Sequence, residues 1–216
     1  SLGTWQLQRK TWKEGLLADI AARTKAAPIP LDEARRRQAA GEDVEYTRVV
    51  ARGRFLHDKE AFVYASGAGG PGFHLYTPLE MAGGTILFVN RGFVPEHLKD
   101  PGRRRDGLPA GEVEVVGLLR MPGRKGWFTP DQGSARDVWF WRDLAGMAAS
   151  AFGNQHRDIV PFFIEAEANP GPGWPRGGVS RLELPNRHLE YALTWYGLAA
   201  ALIGVYFAFV LARLRA

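Results

Sequence analysis

A long segment without a charged residue, close to the C-terminus, is the feature that most constrains this chain. Residues 191–212 read YALTWYGLAAALIGVYFAFVLA, between Glu190 and Arg213. A helix over this segment would span roughly 33 Å at a rise of about 1.5 Å per residue, which is enough for the hydrocarbon core of a bilayer. The pattern predicts a transmembrane helix over 186–212. A helix buried in a protein core is the alternative, although such a helix is rarely apolar on every face.

The flanking residues predict an orientation. Arg213 and Arg215 follow the apolar segment, and basic residues favour the cytoplasmic side of a membrane. The tail 213–216 is therefore predicted to be cytoplasmic, with the remainder of the chain on the outer side.

The N-terminal residues 1–17 predict a second membrane contact. The segment starts uncharged and then becomes abruptly polar, and Trp5, Trp12 and Leu16 share one helical stripe. We interpret it as the end of a first transmembrane helix, largely missing from this chain, with its amphipathic exit. An ordinary amphipathic helix is the alternative.

Small residues form a stripe along the apolar segment. Gly197, Ala201, Gly204 and Ala208 recur at spacings of four, three and four. Such a stripe lets another helix approach closely, so it predicts a helix-packing face. The partner would be the first membrane helix or a helix of another protein.

Residues 18–185 predict an extramembrane, β-rich domain. A short helix is predicted over 32–40 and another over 143–152, with Asp143 as the N-cap of the second. Strands are predicted at 46–55, 61–65, 73–79, 85–94, 113–120, 138–141, 159–166 and 179–184. The fold class is therefore α+β, with an antiparallel barrel-like sheet or sandwich, short helices and flanking membrane helices.

Several activities are disfavoured by the composition and the motifs. The chain has no Cys, which excludes disulfides, thiol nucleophiles and Cys-ligated metals. No Ser lies in a nucleophile elbow, and the five His are too scattered for a protein-only metal site. The Gly-rich run 67–72 lacks the ending of a phosphate-binding loop and predicts a hairpin turn.

The net charge of +5 indicates an anionic partner. The arginine runs 35–37 and 103–105 lack the interleaved aromatic residues of a nucleic-acid-binding surface, so no nucleic-acid partner is expected. They are either solvated loops or contacts for lipid phosphates, acidic partners or haem propionates. Arg91 lies in an apolar strand, where it pairs either with an internal carboxylate, with Gly92 marking a bulge, or with the carboxylate of a ligand or partner.

His188 is the best candidate for chemistry. It falls in the first turn of the C-terminal helix, and Tyr191 and Trp195 follow at i+3 and i+7 on the same face. An imidazole beside aromatic side chains at membrane depth suits a haem, because His is a common axial ligand. An interfacial His that hydrogen-bonds a headgroup or the domain is the alternative.

Five stretches in order carry a family resemblance. They are residues 2–10 (LGTWQLQRK), 53–60 (GRFLHDKE), 89–95 (VNRGFVP, with Phe93 where Trp is common), a block containing Gly117, Arg120, Pro122, Phe128, Pro130, Trp139 and Trp141, and 186–195 (NRHLEYALTW). Together they resemble the Surfeit-locus-one family of membrane-bound assembly factors of cytochrome c oxidase, and they cover nearly the whole chain.

The resemblance implies a function and a site. Members of this family help to build the haem–copper core of the oxidase, and bacterial members are linked to binding haem a and presenting it to subunit one. By resemblance, His188 is the axial ligand of the haem iron, Tyr191 and Trp195 are its aromatic neighbours, and Arg187 or Arg91 supplies positive charge. The family is not catalytic. Subunit one of the oxidase and haem a synthase are the expected partners, beside the lipid bilayer.

Four functions compete at this point. The first is a haem a chaperone, and the second is a scaffold that stabilises an early oxidase intermediate without touching haem. A membrane-anchored enzyme and a membrane-associated nucleic-acid-binding protein are the others, with little in the sequence to recommend them. Arg greatly outnumbers Lys, which suggests a bacterial inner membrane with a periplasmic domain; the mitochondrial inner membrane is the alternative.

Overall fold

The computed structural model describes residues 2–67, 70–127, 129, 137–167, 173–178 and 188–215. The chain divides into two compact units. One contains residues 1–22 and 182–216, and the other contains residues 23–181.

The first unit consists of long terminal helices. Helix α1 (Leu2–Lys25) is a single helix through the predicted membrane exit, and helix α4 (His188–Arg215) covers the apolar segment. The hydroxyls of Thr4 and Tyr196 lie 3.2 Å apart, which links the two helices by a hydrogen bond.

Membrane insertion of these helices is not confirmed. Among the residues that the structure describes, none of the helices combines the length and the apolar character that a bilayer crossing requires. The transmembrane helix predicted at 186–212 therefore stays a prediction.

The second unit is built on one sheet of eight strands within the described residues. The strands are β1 (Ile29–Pro30), β2 (Arg48–Phe55), β3 (Ala61–Gly67), β4 (Gly70–Glu80), β5 (Ile86–Pro95), β6 (Glu112–Arg120), β7 (Val138–Trp139) and β8 (Ile159–Ala166). Their order is β1-β2-β6-β8-β5-β4-β3-β7, and β2 also pairs with β4. This extra pairing closes β2, β6, β8, β5 and β4 into a barrel-like ring.

The predicted α+β class with a barrel-like sheet is confirmed, but the prediction of an antiparallel sheet is only partly right. The pairs β1–β2, β3–β7 and β5–β8 are parallel. Parallel neighbours need a crossover connection rather than a hairpin, and the chain between β5 and β8 is long enough to provide one. A prediction from hairpin turns alone misses such pairs.

The alternation of apolar and polar residues along the strands predicts which side chains lie in the core. In β2 the side chains of Val49, Ala51 and Phe55 are buried, as the alternation predicts, whereas Arg52 and Arg54 are exposed. Strand β5 is different, because both of its faces are buried. Apart from Asn90 and Arg91, its residues are nonpolar, which is the pattern expected of a strand covered on both sides.

Two short helices cover the sheet. Helix α2 (Leu31–Ala39) begins after Pro30, and Asp32 lies in its first turn. Helix α3 (Leu144–Phe152) is capped as predicted, because the Asp143 carboxylate accepts a hydrogen bond from Gly146 N at 3.0 Å. The hairpin predicted for the Gly-rich run 67–72 is confirmed by the pairing of Gly67 with Gly70. The strand predicted at 179–184 lies outside the described residues.

Candidate functional site

Helix α4 carries the residues predicted to hold a haem. Arg187 lies outside the described residues, and His188 is described only as the first residue of the helix. Tyr191 and Trp195 are four residues apart and therefore lie on one face. Their side chains are 54% and 40% exposed, so both are available to a ligand or a partner.

The predicted helix-packing stripe also lies on α4. Gly197, Ala201, Gly204 and Ala208 are all exposed. A Cβ atom added at Gly197 or Gly204 would meet open space within the described residues. The stripe is therefore accessible, and its role in packing stays a prediction.

Arg91 occupies a bulge in strand β5. The register against β4 pairs Gly92 with Leu75 and Asn90 with Tyr76, which leaves Arg91 as the extra residue. Its side chain is only 1% exposed, and its guanidinium lies 4.6 Å from the centre of the Phe55 ring. The Arg91 side chain therefore points into the protein.

The partner of Arg91 is a buried carboxylate. Arg91 Nη1 lies 3.9 Å from Oε1 of Glu60, whose side chain is 3% exposed, and Arg91 also donates a hydrogen bond to Gly107 O. A second arginine, Arg104, is fully buried and pairs with both carboxylate oxygens of Glu60. The internal-carboxylate interpretation of Arg91 thus describes this structure, and a role towards a cofactor stays a prediction.

His57 completes this group, which we call the Glu60 cluster (Glu60, Arg91, Arg104 and His57). His57 Nδ1 lies 3.6 Å from Glu60 Oε1, and Nε2 lies 3.1 Å from Pro109 O. Because a carbonyl oxygen only accepts, Nε2 carries a proton and donates it to that oxygen.

The electrostatics of the cluster favour an ionised Glu60. Burial acts to raise the pKa of Glu60, but the contacts from His57 and Arg104, together with the charges of Arg104 and Arg91, outweigh it and hold the pKa below its ordinary value. Burial lowers the pKa of Arg91 to about 10, although the charge of Glu60 opposes that change. Both groups therefore remain charged at neutral pH.

The cluster also fixes the loop that follows β5. Arg104 donates to Leu98 O at 3.1 Å, in addition to its contacts with Glu60. The prediction that the run 103–105 is a solvated or ligand-facing loop is therefore wrong for Arg104. Its charge is satisfied inside the protein, which a count of consecutive arginines does not reveal.

An open cavity of about 700 Å³ borders the cluster, with Glu60 and His57 in its wall. Its other ionisable residues are Asp58, Glu96, His97, Lys99, Asp100, Arg103 and Asp137. No group of three or more His, Cys, Asp or Glu suited to a metal ion occurs within the described ranges. The expectation that there is no protein-only metal site stays a prediction.

These observations define a class of protein. It is an α+β chain with a long helix near each end of the sequence, and the residues between these helices form a barrel-like sheet that contains a buried ionic cluster. Comparison with known proteins gives the family. Residues 1–200 match the model of the SURF1 family. The chain therefore belongs to the SURF1 family, as the resemblance predicted.

Curated relatives agree over most of the chain. The rat Surfeit locus protein 1 is 36% identical over 217 residues, which cover 93% of this chain and 68% of the relative. The human Surfeit locus protein 1 is 36% identical over 218 residues, covering 93% of this chain and 70% of the relative. The Takifugu rubripes protein of the same name is 34% identical over 232 residues, which cover 99% of this chain and 93% of the relative.

Sequence reasoning missed the roles of Glu60 and Arg104. The available signal was Arg91 itself, because a charged residue inside the run ILFVNRGFV requires a buried counter-ion. Nothing in the sequence spacing identifies which carboxylate that is. Glu60 lies in the connection between β2 and β3, and Arg104 lies in the loop that follows β5.

Proposed function

We propose that this protein is an assembly factor for cytochrome c oxidase that binds haem a through α4 and assists its transfer to subunit one. Membership of the SURF1 family, matched over residues 1–200, is the observation that carries the proposal.

The residues of α4 suit a haem chemically. A porphyrin is flat and apolar across its faces, and exposed aromatic side chains at Tyr191 and Trp195 provide matching surface on one helix face. His188 precedes them on the same face and supplies the imidazole that haem iron accepts as an axial ligand. Arg187 adds a positive charge for a propionate. A single protein ligand suits a carrier, because the haem must be released to the oxidase.

Membrane attachment through α4 is part of the proposal. Its support is the exposure of large apolar side chains along the helix, such as Leu198, Leu202 and Val205. Exposed apolar surface of this extent is typical of interaction with a membrane or a partner protein. We place the protein at the membrane that holds the oxidase, with the bacterial inner membrane as the first choice and the mitochondrial inner membrane as the alternative.

Optical spectroscopy tests the haem step. The full chain is purified in detergent from cells that make haem a, beside His188→Ala and the control His156→Ala, which removes an exposed imidazole from the β-rich unit. We expect a haem a band in the parent and the control that is lost or strongly reduced in His188→Ala.

The other outcomes are informative. Equal haem in all three proteins would retain the chaperone and exclude His188 as its main ligand. Absence of haem from all three, combined with an oxidase that still depends on this protein for its assembly, would favour a scaffold that acts without haem. Oxidase of normal haem a content in cells lacking the protein would contradict the proposed function.

A further inference from the structure

One large apolar side chain of the β-rich unit lies almost entirely in solvent. Trp127 is 94% exposed, whereas Tyr64 and Phe140, the other exposed aromatic side chains among the described residues of this unit, are only about half exposed. Tryptophan is highly buried on average in folded proteins. The indole of Trp127 stabilises the fold very little, because it buries almost none of its surface, so its exposure indicates a surface that another molecule covers.

The backbone holds Trp127 at the tip of a turn. Thr129 N donates a hydrogen bond to Gly126 O at 3.0 Å, so Trp127 occupies the second position of a turn that begins at Gly126. The segment that leads to this turn is attached at its base, where Gly123 N donates to Arg142 O at 3.1 Å. Backbone hydrogen bonds on both sides of Trp127 therefore present it to solvent. We call residues 123–127 the Trp127 loop.

The Trp127 loop has a basic character. Arg124 and Lys125 precede the tryptophan and are both exposed, and the loop contains no acidic residue. An indole ring lies favourably at the headgroup level of a bilayer, because it has an apolar body and a polar N–H. Basic side chains beside it are attracted to anionic lipids. The composition of the loop is therefore complementary to an anionic phospholipid surface.

The Trp127 loop follows a segment that lies close to the point where the chain enters the β-rich unit. Met121 N donates to Oε2 of Glu45 at 2.8 Å. The carbonyl oxygen of Glu45 accepts from Nη1 of Arg23 at 3.1 Å, and Arg23 is the first residue of the unit. The chain connects this part of the unit to residues 1–17, for which a membrane contact is predicted.

The small size of the loop favours a membrane over a protein partner. A stable protein–protein interface buries about 800 Å² on each partner, which one turn with a single tryptophan does not supply. A small contact suffices on a membrane to which the same chain is already attached, because the attachment makes the docking step intramolecular.

We infer that the Trp127 loop docks on an anionic phospholipid surface, with the indole of Trp127 at headgroup level and Arg124 against lipid phosphates. The inference rests on the membrane attachment in the proposed function and extends it from α4 to the β-rich unit. It does not depend on haem binding.

Fluorescence quenching by brominated lipids tests this docking. The full chain is reconstituted into vesicles of brominated or ordinary phosphatidylcholine, with or without about one third of anionic phosphatidylglycerol, and recovered by flotation. The chain has seven tryptophans, so the Trp127 signal is the difference between the parent and Trp127→Phe. We expect bromines just below the headgroups to quench most of this signal when phosphatidylglycerol is present and much less when it is absent. Salt at about 0.5 M should release the loop by screening the attraction.

A matched pair of variants isolates the charge of the loop. Arg124→Gln removes an exposed positive charge from the loop, and the control Arg105→Gln removes an exposed positive charge elsewhere in the same unit. In the vesicles with phosphatidylglycerol, Arg124→Gln is expected to lower the ratio of docked to free loops about fivefold, because each basic residue near an anionic surface contributes about 1 kcal/mol. Arg105→Gln should leave the ratio almost unchanged.

The outcomes separate this inference from the attachment through α4. A chain that floats with both kinds of vesicle while Trp127 stays unquenched overturns the inference and leaves the attachment intact. A chain that floats only with phosphatidylglycerol, with Trp127 quenched, supports the inference and contradicts the attachment through α4. A chain that floats with neither contradicts both. Equal quenching with and without phosphatidylglycerol, or equal effects of the two arginine substitutions, overturns the inference, because its choice of lipid depends on charge.

Discussion

Replacement of Glu60 by Gln is expected to destabilise the β-rich unit strongly. The change keeps the shape of the side chain and removes the only charge that faces both Arg91 and Arg104 within the Glu60 cluster. Arg91 is 1% exposed and Arg104 is 0% exposed, so water cannot take the place of the carboxylate. Removing one partner of a buried ion pair typically costs about 3–5 kcal/mol. That is a large part of the roughly 5–15 kcal/mol by which a folded domain is stable.

The assay is urea unfolding with a surface control. Glu114→Gln breaks a pair of the same kind, because Glu114 lies 2.7 Å from Arg52 Nη2, but there the side chains are 48% and 72% exposed. An exposed pair contributes about 0–1 kcal/mol, so this control should barely move the midpoint. We expect Glu60→Gln to lower the midpoint greatly at an unchanged slope. Equal effects of the two substitutions would refute the reasoning.

A pH profile and a milder variant strengthen the test. The pKa of Glu60 is lowered in the folded protein, so its contribution to stability is fully present above the ordinary glutamate value of 4.5 and is lost as the pH falls through the folded pKa. The Glu60→Gln protein should therefore lose less stability than the parent over that acid range. Glu60→Asp keeps the charge on a shorter side chain and is expected to cost less than Glu60→Gln, which provides a measurable variant if Glu60→Gln does not fold.

Further predictions concern the backbone and a helix cap. Gly92→Ala is expected to abolish folding, because Gly92 has a φ of 115° and a Cβ there would overlap the carbonyl oxygen of Arg176. Gly70→Ala is the control: Gly70 has a comparable φ of 104°, but a Cβ there would meet open space, so this substitution should cost much less stability. Thermal unfolding followed by circular dichroism compares the two variants. Asp143→Ala removes the N-cap that accepts from Gly146 N and should cost about 1 kcal/mol in urea unfolding, and a change below about 0.2 kcal/mol would contradict the capping role. 

Local sequence patterns predicted most of the sheet. Strand β8 was predicted at 159–166, the bounds observed, and alternation in β2 identified its buried face. These features depend on residues close together in the chain, where the two-residue alternation of apolar and polar side chains and the turn residues are informative. The parallel pairing of β5 with β8 depends on the path of a long connection, and the alternation of apolar residues carries no information about that path.

The site was less predictable than the fold. The family resemblance directed attention to His188 and its aromatic neighbours, whereas the Glu60 cluster forms from residues far apart in the chain. Glu60 and Arg104, for example, are 44 positions apart. Their pairing is fixed by the tertiary fold, because each charged side chain, once buried, requires a partner of opposite sign.

The motif 89–95 shows how a family resemblance can reflect folding rather than chemistry. Asn90 accepts a hydrogen bond from Gly92 N at 3.0 Å, Arg91 reaches Glu60, and Gly92 allows the close approach of Arg176 O. Asn90 thus fixes the backbone within β5, whereas Arg91 and Gly92 connect the strand to two other parts of the unit. Substitutions in this motif should therefore lower the amount of folded protein before they change any affinity for a ligand. Measuring the soluble yield and the haem content of the same variants would separate the two effects, because a folding defect reduces both in proportion, whereas a ligand-binding defect reduces haem per folded molecule.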